Sequence, residues 1–99
     1  MVLAVLRDGP SYGYAIAKEI NKRSNDLLRL RQGTLYPALR NLETKGWIEG
    51  EWIVSEGSRP RRVYTISDEG KQVLMDMVHA WRGLAKALDG VFSGAEAVA

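Results

Sequence analysis

Cysteine is absent, which excludes disulfides and every thiolate metal site and fits a reducing compartment. A single histidine, His79, excludes a multi-histidine metal centre within one chain. No nucleophile stands with a base and no acid–base pair is visible. The carboxylates are scattered over strand faces and helix starts, so neither an enzyme nor a cofactor is expected. Long apolar runs are missing too. Met1–Leu6 is far too short to cross a bilayer, and Arg7 and Asp8 follow it without a small-residue cleavage pattern. The expectation is a cytoplasmic protein with no membrane partner and no signal peptide. An aromatic platform for unpaired bases is also lacking, which speaks against RNA.

What is present is ordinary globular composition, 45% hydrophobic and 26% charged over 99 residues. That is one domain with a thin core, and without disulfides or a metal the remaining source of burial is self-association. The net charge of +2 is modest, so the position of the charges matters more than their sum.

Residues 1–7 read as a short helix stopped by Asp8-Gly9-Pro10. Ser11 is the expected N-cap of a second helix running to about Arg23, with Ile16 and Ile20 on its buried side. Leu27–Leu30 suggests a very short strand. A third helix is expected over Gln32–Lys45, where Leu35, Leu39 and Leu42 recur at i, i+4 and i+7, with Gly46 as its left-handed terminator. Pro37 falls in its early turns, where a missing N–H costs least. The period then changes to two over Trp47–Val54, with Ile48, Trp52 and Val54 on one face and Glu49 and Glu51 on the other. Glu56–Pro60 is turn chemistry, and Arg62–Ile66 is the returning strand. Ser67 caps a last helix to about Phe92, with Asp68 and Glu69 in its first turn. The fold class is therefore mostly α with a small β-hairpin (α+β). Three helices followed by a basic-tipped hairpin have the layout of a winged helix-turn-helix. The division is 1–67 for that DNA-binding unit, 68–92 for a C-terminal dimerisation helix and 93–99 for a frayed tail.

Turning Leu35, Leu39 and Leu42 inward sends Gly33, Pro37, Arg40, Asn41 and Thr44 outward, with Thr34 and Tyr36 on the flanks. Such a face lacks the usual Glu/Lys ladder of a surface helix. Arg suits guanine O6 and N7, Asn suits adenine N6 and N7, and Thr meets a thymine methyl or a phosphate. Arg59, Arg61 and Arg62 surround Pro60 at the hairpin tip, where a duplex backbone comes within reach. Each feature alone has a plain reading, as a solvated helix face and a soluble basic turn. Their succession favours duplex DNA.

Gly9-Pro10-Ser11-Tyr12-Gly13-Tyr14, Gly33-Thr34-Leu35-Tyr36-Pro37-Ala38-Leu39, Leu42-Glu43 with Gly46, Gly57-Ser58-Arg59-Pro60-Arg61-Arg62-Val63-Tyr64 and Ser67-Asp68-Glu69-Gly70 resemble the PadR family of bacterial transcriptional regulators. The resemblance covers about residues 1–75. It implies a winged-helix homodimer, usually a repressor, with the third helix in the major groove and the wing over phosphates or the minor groove. Thr34, Tyr36 and Arg40 match the family's recognition helix, and Arg59, Arg61 and Arg62 its wing. Arg31-Gln32 replaces the Ser-Pro common in the family, which weakens the helix cap and makes Gln32 a further DNA-facing candidate. The first helix is also shorter than in many relatives.

Leu74, Met77, Trp81, Leu84, Leu88 and Val91 form an unbroken heptad seam that outruns the winged-helix body, so a second copy is expected to cover it. A two-fold dimer implies a palindromic operator. Two readings stand for Met77 and Trp81. One is interface packing; the other is a site for a small-molecule inducer, aromatic or amphipathic, which the resemblance implies between C-terminal helices in some members. His79 lies off the seam. The alternative to a DNA-binding regulator is a winged-helix module for protein–protein contact, which gives no reason for the arginines at the wing.

Overall fold

The Asp8-Gly9-Pro10 break, with Gly9 at φ +146°, separates a first helix, α1 (Val2–Arg7), from the rest of the chain. The computed structural model describes residues 1–94, and there α1 is followed by β1 (Ser11–Tyr12), α2 (Gly13–Arg23), α3 (Gln32–Thr44), β2 (Ile48–Ile53), β3 (Arg61–Ile66) and α4 (Asp68–Phe92). The sheet order is β1-β3-β2, antiparallel throughout. This is a mostly helical winged helix. Of the expected frayed tail, Ser93 and Gly94 form a turn, and 95–99 lie outside the described residues.

Two expectations change near the N-terminus. Ser11 does not cap α2: it is extended and pairs with Tyr64 while Tyr12 pairs with Val63, because β3 has a free edge there. Helix α2 starts one residue later than the strand ends, with Tyr12 as a cap that makes no side-chain bond. Leu27–Leu30 forms no strand. Both edges of β3 are already taken, and Asn25, Asp26 and Arg29 hold positive φ values of 51°, 62° and 46°, which bend the chain out of extended geometry. Asn21 braces this connection: its Nδ2 donates to the Leu30 carbonyl at 3.1 Å, and its Oδ1 accepts from the Leu30 N–H at 2.6 Å. That pair of bonds sets where α3 begins.

The core is one cluster drawn from every element but β1, including Leu3, Leu6, Ile16, Ile20, Leu35, Leu39, Ile48, Ile66 and Leu74. The register pairs Ile48 with Ile66, Gly50 with Tyr64 and Trp52 with Arg62 on the sheet face that carries the core. Burial fades along that face toward the tip. Ile48 and Tyr64 are buried, but Trp52 is 62% exposed and Val54, past the end of β2, is 72% exposed. Alternation places both on one face with Ile48, and only Ile48 of the three is buried. The hairpin instead runs past the core as a free-standing wing.

The turn from β3 into α4 is tightly built. Ser67 Oγ accepts from the Gly70 N–H at 3.0 Å and donates to the Gly46 carbonyl at 2.6 Å, so one side chain caps α4 and ties it to the end of α3. The Ser67 N–H donates to the Trp47 carbonyl at 3.0 Å, and Gly46, at φ +77°, turns the chain from α3 into β2. Gly70 is buried at this crossing, and a methyl there would run into the Trp47 carbonyl oxygen and come within 2.9 Å of Ile66. In a free helix, Gly→Ala stabilises by about 1 kcal/mol. Here the backbone obstacle reverses the sign, and Gly70→Ala is expected to cost about 1–3 kcal/mol. Urea unfolding should show a lower midpoint at unchanged slope. A midpoint equal to or above the parent's would refute the close packing of this junction.

Candidate nucleic-acid interface

The geometry of α3 follows from two leucines. Leu35 and Leu39 are sealed at 1% and 0% exposure, and Leu42 is half-buried against the same cluster. Gln32, Thr34, Tyr36, Pro37, Arg40, Asn41 and Thr44 are all left exposed. At about 100° per residue, Tyr36, Arg40 and Glu43 share the flank beside the Leu35–Leu39 stripe, and Thr34 and Asn41 share the opposite one. The start of the helix is as weakly capped as expected, with Arg31 in the N-cap position and no side-chain bond to the first turn. Pro37 in the second turn lacks the N–H that would answer the Gly33 carbonyl. Thr44 is partly engaged: its hydroxyl donates back to the Arg40 carbonyl at 2.9 Å, leaving its methyl outward.

Among the described residues Arg40, Arg59 and Arg61 have no acidic partner, whereas Arg62 does. Arg62 Nη2 stands 2.7 Å from Glu43 Oε1, with both side chains about one-third exposed (31% each). Its guanidinium also lies over the Trp52 and Tyr64 rings, 5.5 and 6.0 Å from their centroids. Arg62, expected among the DNA-contacting arginines of the wing, is thus engaged within the chain in the absence of DNA. It sits on the core-side face of β3, where α3 brings a carboxylate to it, and its charge is neutralised within the chain. Arg61 points to the other face, 4.5 Å over the Tyr12 ring. Burial, followed by the nearby Glu43 carboxylate, pushes the Tyr64 hydroxyl above its ordinary range against the opposing pull of Arg62, so it stays neutral near pH 7.

One groove of about 230 Å³ connects helix and wing, lined by Tyr12, Gly13, Tyr14, Tyr36, Trp52, Pro60, Arg61, Arg62 and Tyr64. Among the described residues no carboxylate lines it. The Tyr36 ring packs over Gly13, where an added Cβ would be 3.0 Å from Cε1, so the glycine lets α2 come up against α3. Tyr12, Tyr14 and Trp52 were not picked out from sequence as site residues. The available signal was the Tyr12-Gly13-Tyr14 run, two aromatic side chains in the polar approach to a helix.

The seam on α4 divides into two parts. Leu74 is buried at 7% in the chain's own core, against the expectation that it belongs to an interface, because the first turns of α4 pack on α1. Beyond that point Met77, Trp81, Leu84, Leu88 and Val91 are 47%, 65%, 52%, 41% and 76% exposed. The helix projects from the body: the radius of gyration is 17.0 Å, against about 13 Å for a compact chain of this length.

Residues 2–76 match the family described as the transcriptional regulator PadR-like family. The chain belongs to that family. A protein of Lysinibacillus sphaericus with no assigned role is 32% identical over 97 residues, covering 97% of this chain and 88% of its own. A PadR family transcription regulator from hypervirulent Clostridium difficile is similar in structure, with a TM-score of 0.82 at 30% identity, over 93% of this chain and 94% of that one. The Bacillus subtilis negative transcriptional regulator PadR is 28% identical over 75 residues, which are 76% of this chain but only 41% of PadR. Its structure in complex with operator DNA superposes with a TM-score of 0.71 at 27% identity, over 78% of this chain and 44% of that one. The PadR-like family is one of transcriptional regulators rather than enzymes. Among the described residues no helix is long and apolar enough to cross a membrane.

Proposed function

We propose that this PadR-like chain is a homodimeric, sequence-specific DNA-binding repressor that acts on a palindromic operator. The observation that carries this reading is the pairing of an outward arc on α3, Thr34, Tyr36, Arg40 and Asn41, with the groove between helix and wing and with Arg59 and Arg61, which have no acidic partner among the described residues. The Bacillus subtilis PadR, similar in fold, has been solved with operator DNA and is named a negative regulator, which supports the same role here. Helix α3 enters the major groove, Arg40 and Asn41 read base edges, and Arg59 and Arg61 contact phosphates. The exposed stretch from Met77 to Val91 is covered by a second copy, giving two recognition helices for successive major grooves roughly 34–36 Å apart.

The division of labour is tested with a duplex selected by the parent protein from a random-sequence pool, compared with an unselected duplex. Arg40→Ala should cost about 1–3 kcal/mol on the selected duplex and relax preference at one position per half-site. Arg61→Ala should weaken both duplexes alike and flatten the dependence of affinity on salt. Equal losses on both duplexes for both variants would contradict the assignment. Failure to enrich any sequence, with no affinity for duplex, would instead favour a module for protein contact.

Leu84→Glu tests the dimer. It sets a charge at the middle of the exposed stretch, where two-fold pairing would bury it opposite its twin without a partner. Light scattering at micromolar concentration should report monomer, and operator affinity should collapse because each half-site is then bound separately. A dimer that survives this change would mean that α4 is not the main interface.

A ligand reading for Met77 and Trp81 is favoured by the exposure of an indole and a thioether on one face of α4. A flat aromatic compound held between two copies shifts the spacing of the recognition helices, and a tenfold loss of operator affinity needs only about 1.4 kcal/mol of preference between the two states. Planar phenolic and cationic dyes should quench the parent's indole fluorescence, spare Trp81→Phe, and release the operator. Quenching that persists in Trp81→Phe, or that leaves operator affinity unchanged, would reduce Trp81 to interface packing.

A further inference from the structure

We infer that Glu43, Arg62 and Gly50 form a latch that holds the wing at a fixed angle to the recognition helix, and that this latch sets sequence discrimination rather than raw affinity. The inference rests on the DNA-binding reading above. Glu43 sits on the flank of α3 that carries Tyr36 and Arg40, and its carboxylate meets the Arg62 guanidinium at 2.7 Å, across 19 residues of chain. An acid here works against phosphate binding, so its placement calls for another role. Arg62 in turn is clasped between the carboxylate and the Trp52 and Tyr64 rings, which restricts both ends of the contact. The pair is one-third exposed, so solvent weakens it less than a pair on the open surface.

Gly50 is what makes room for it. It lies opposite Tyr64 and one step along the same face from the Trp52–Arg62 pair. A Cβ at Gly50 would run into Glu43 Oε1 and stand 2.7 Å from Arg62 Nε. Both obstacles are the far ends of long side chains, so an alanine is accommodated by displacing the ion pair and not the backbone. Beyond Arg62 the stacking of Arg61 on Tyr12 is the further contact seen to steady the wing, since Trp52, Ile53 and Val54 are exposed and the core ends near Tyr64. A phosphate contact from a swinging wing still adds affinity. It no longer fixes the register in which Arg40 and Asn41 meet the bases.

Two variants separate geometry from charge. Glu43→Gln removes an acid from the DNA side, while Gly50→Ala changes no charge and disturbs the same pair. Measured on the duplex selected by the parent protein and on an unselected one, each should lower the ratio of the two affinities by at least about tenfold, ~1.4 kcal/mol. Affinity for the unselected duplex should hold or rise in Glu43→Gln. The double variant should be no worse than either single one, because both break one contact. In free protein, heteronuclear NOE values over residues 54–60 should fall in both variants while those of α2 and α3 stay unchanged, which also confirms that the fold persists. If Glu43→Gln strengthens both duplexes equally and Gly50→Ala does nothing, Glu43 is only an unfavourable charge and the latch is refuted. If the parent selects no duplex at all, it is the DNA-binding reading that falls. The latch is then judged by the NOE values alone, and unchanged wing mobility overturns it.

Discussion

Everything about the interface depends on the burial of Leu35 and Leu39. With both side chains withdrawn from water, the rotation of α3 about its axis is fixed, and a rotation by one residue would expose a leucine while burying Arg40 or Tyr36. Each leucine contributes about 1.5–3 kcal/mol through transfer alone. A polar face with weak helix capping can be held out only because this apolar stripe is held in. The poor local signals, an uncapped start at Arg31, Gly33 in the first turn and Pro37 in the second, are tolerated on that condition.

The second constraint is that the wing leaves the core early. Ile48 and Ile66 anchor it, and Ser67 fastens the base by bridging Gly46 and the first turn of α4. From Trp52 outward, hydrophobic burial no longer holds the hairpin in place. Directional contacts take over there: the ion pair of Arg62 with Glu43, and the stacking of Arg61 on Tyr12 of the two-residue strand β1. These interactions are individually small. They act on a short lever, so they govern orientation more than stability.

Long-period features were legible in the sequence and short or non-local ones were not. The stripes of α3 and α4, the Gly46 terminator, the Ser67 cap and the basic hairpin tip all declare themselves through periodicity or through a residue with one natural role. β1 is two residues long and carries no period, so Ser11 was read as a cap. Alternation over Trp47–Val54 identified a strand and put Trp52 and Val54 on one face with Ile48, but could not say where along that face burial ends. The heptad spacing through Leu74 is the same whether a position packs on its own chain or on another, so a first turn or two on the chain's own core could be foreseen but its end before Met77 could not. The pairing of Arg62 with Glu43 joins two elements far apart in the chain, and nothing local marks it.

A net charge of +2 is too small for long-range attraction to carry recognition on its own. Acids also stand close to the interface, Glu43 within it and Glu49 and Glu51 on the opposite face of β2. On the proposed dimeric reading, affinity comes from a few well-placed cations and from the linking of two such sites. The projecting half of α4 suits that proposal, because its exposed apolar face lies outside the core that holds α3 and the base of the wing. Coupling two modest half-sites through a helix makes binding depend on their separation, and separation is a property that any contact along Met77–Val91 can change. The same economy makes wing orientation consequential in that proposal, because Arg59 and Arg61 both ride on the wing and move with it. On the proposed reading, discrimination between sequences is a matter of how rigidly two small bodies are held, more than of how strongly either is charged.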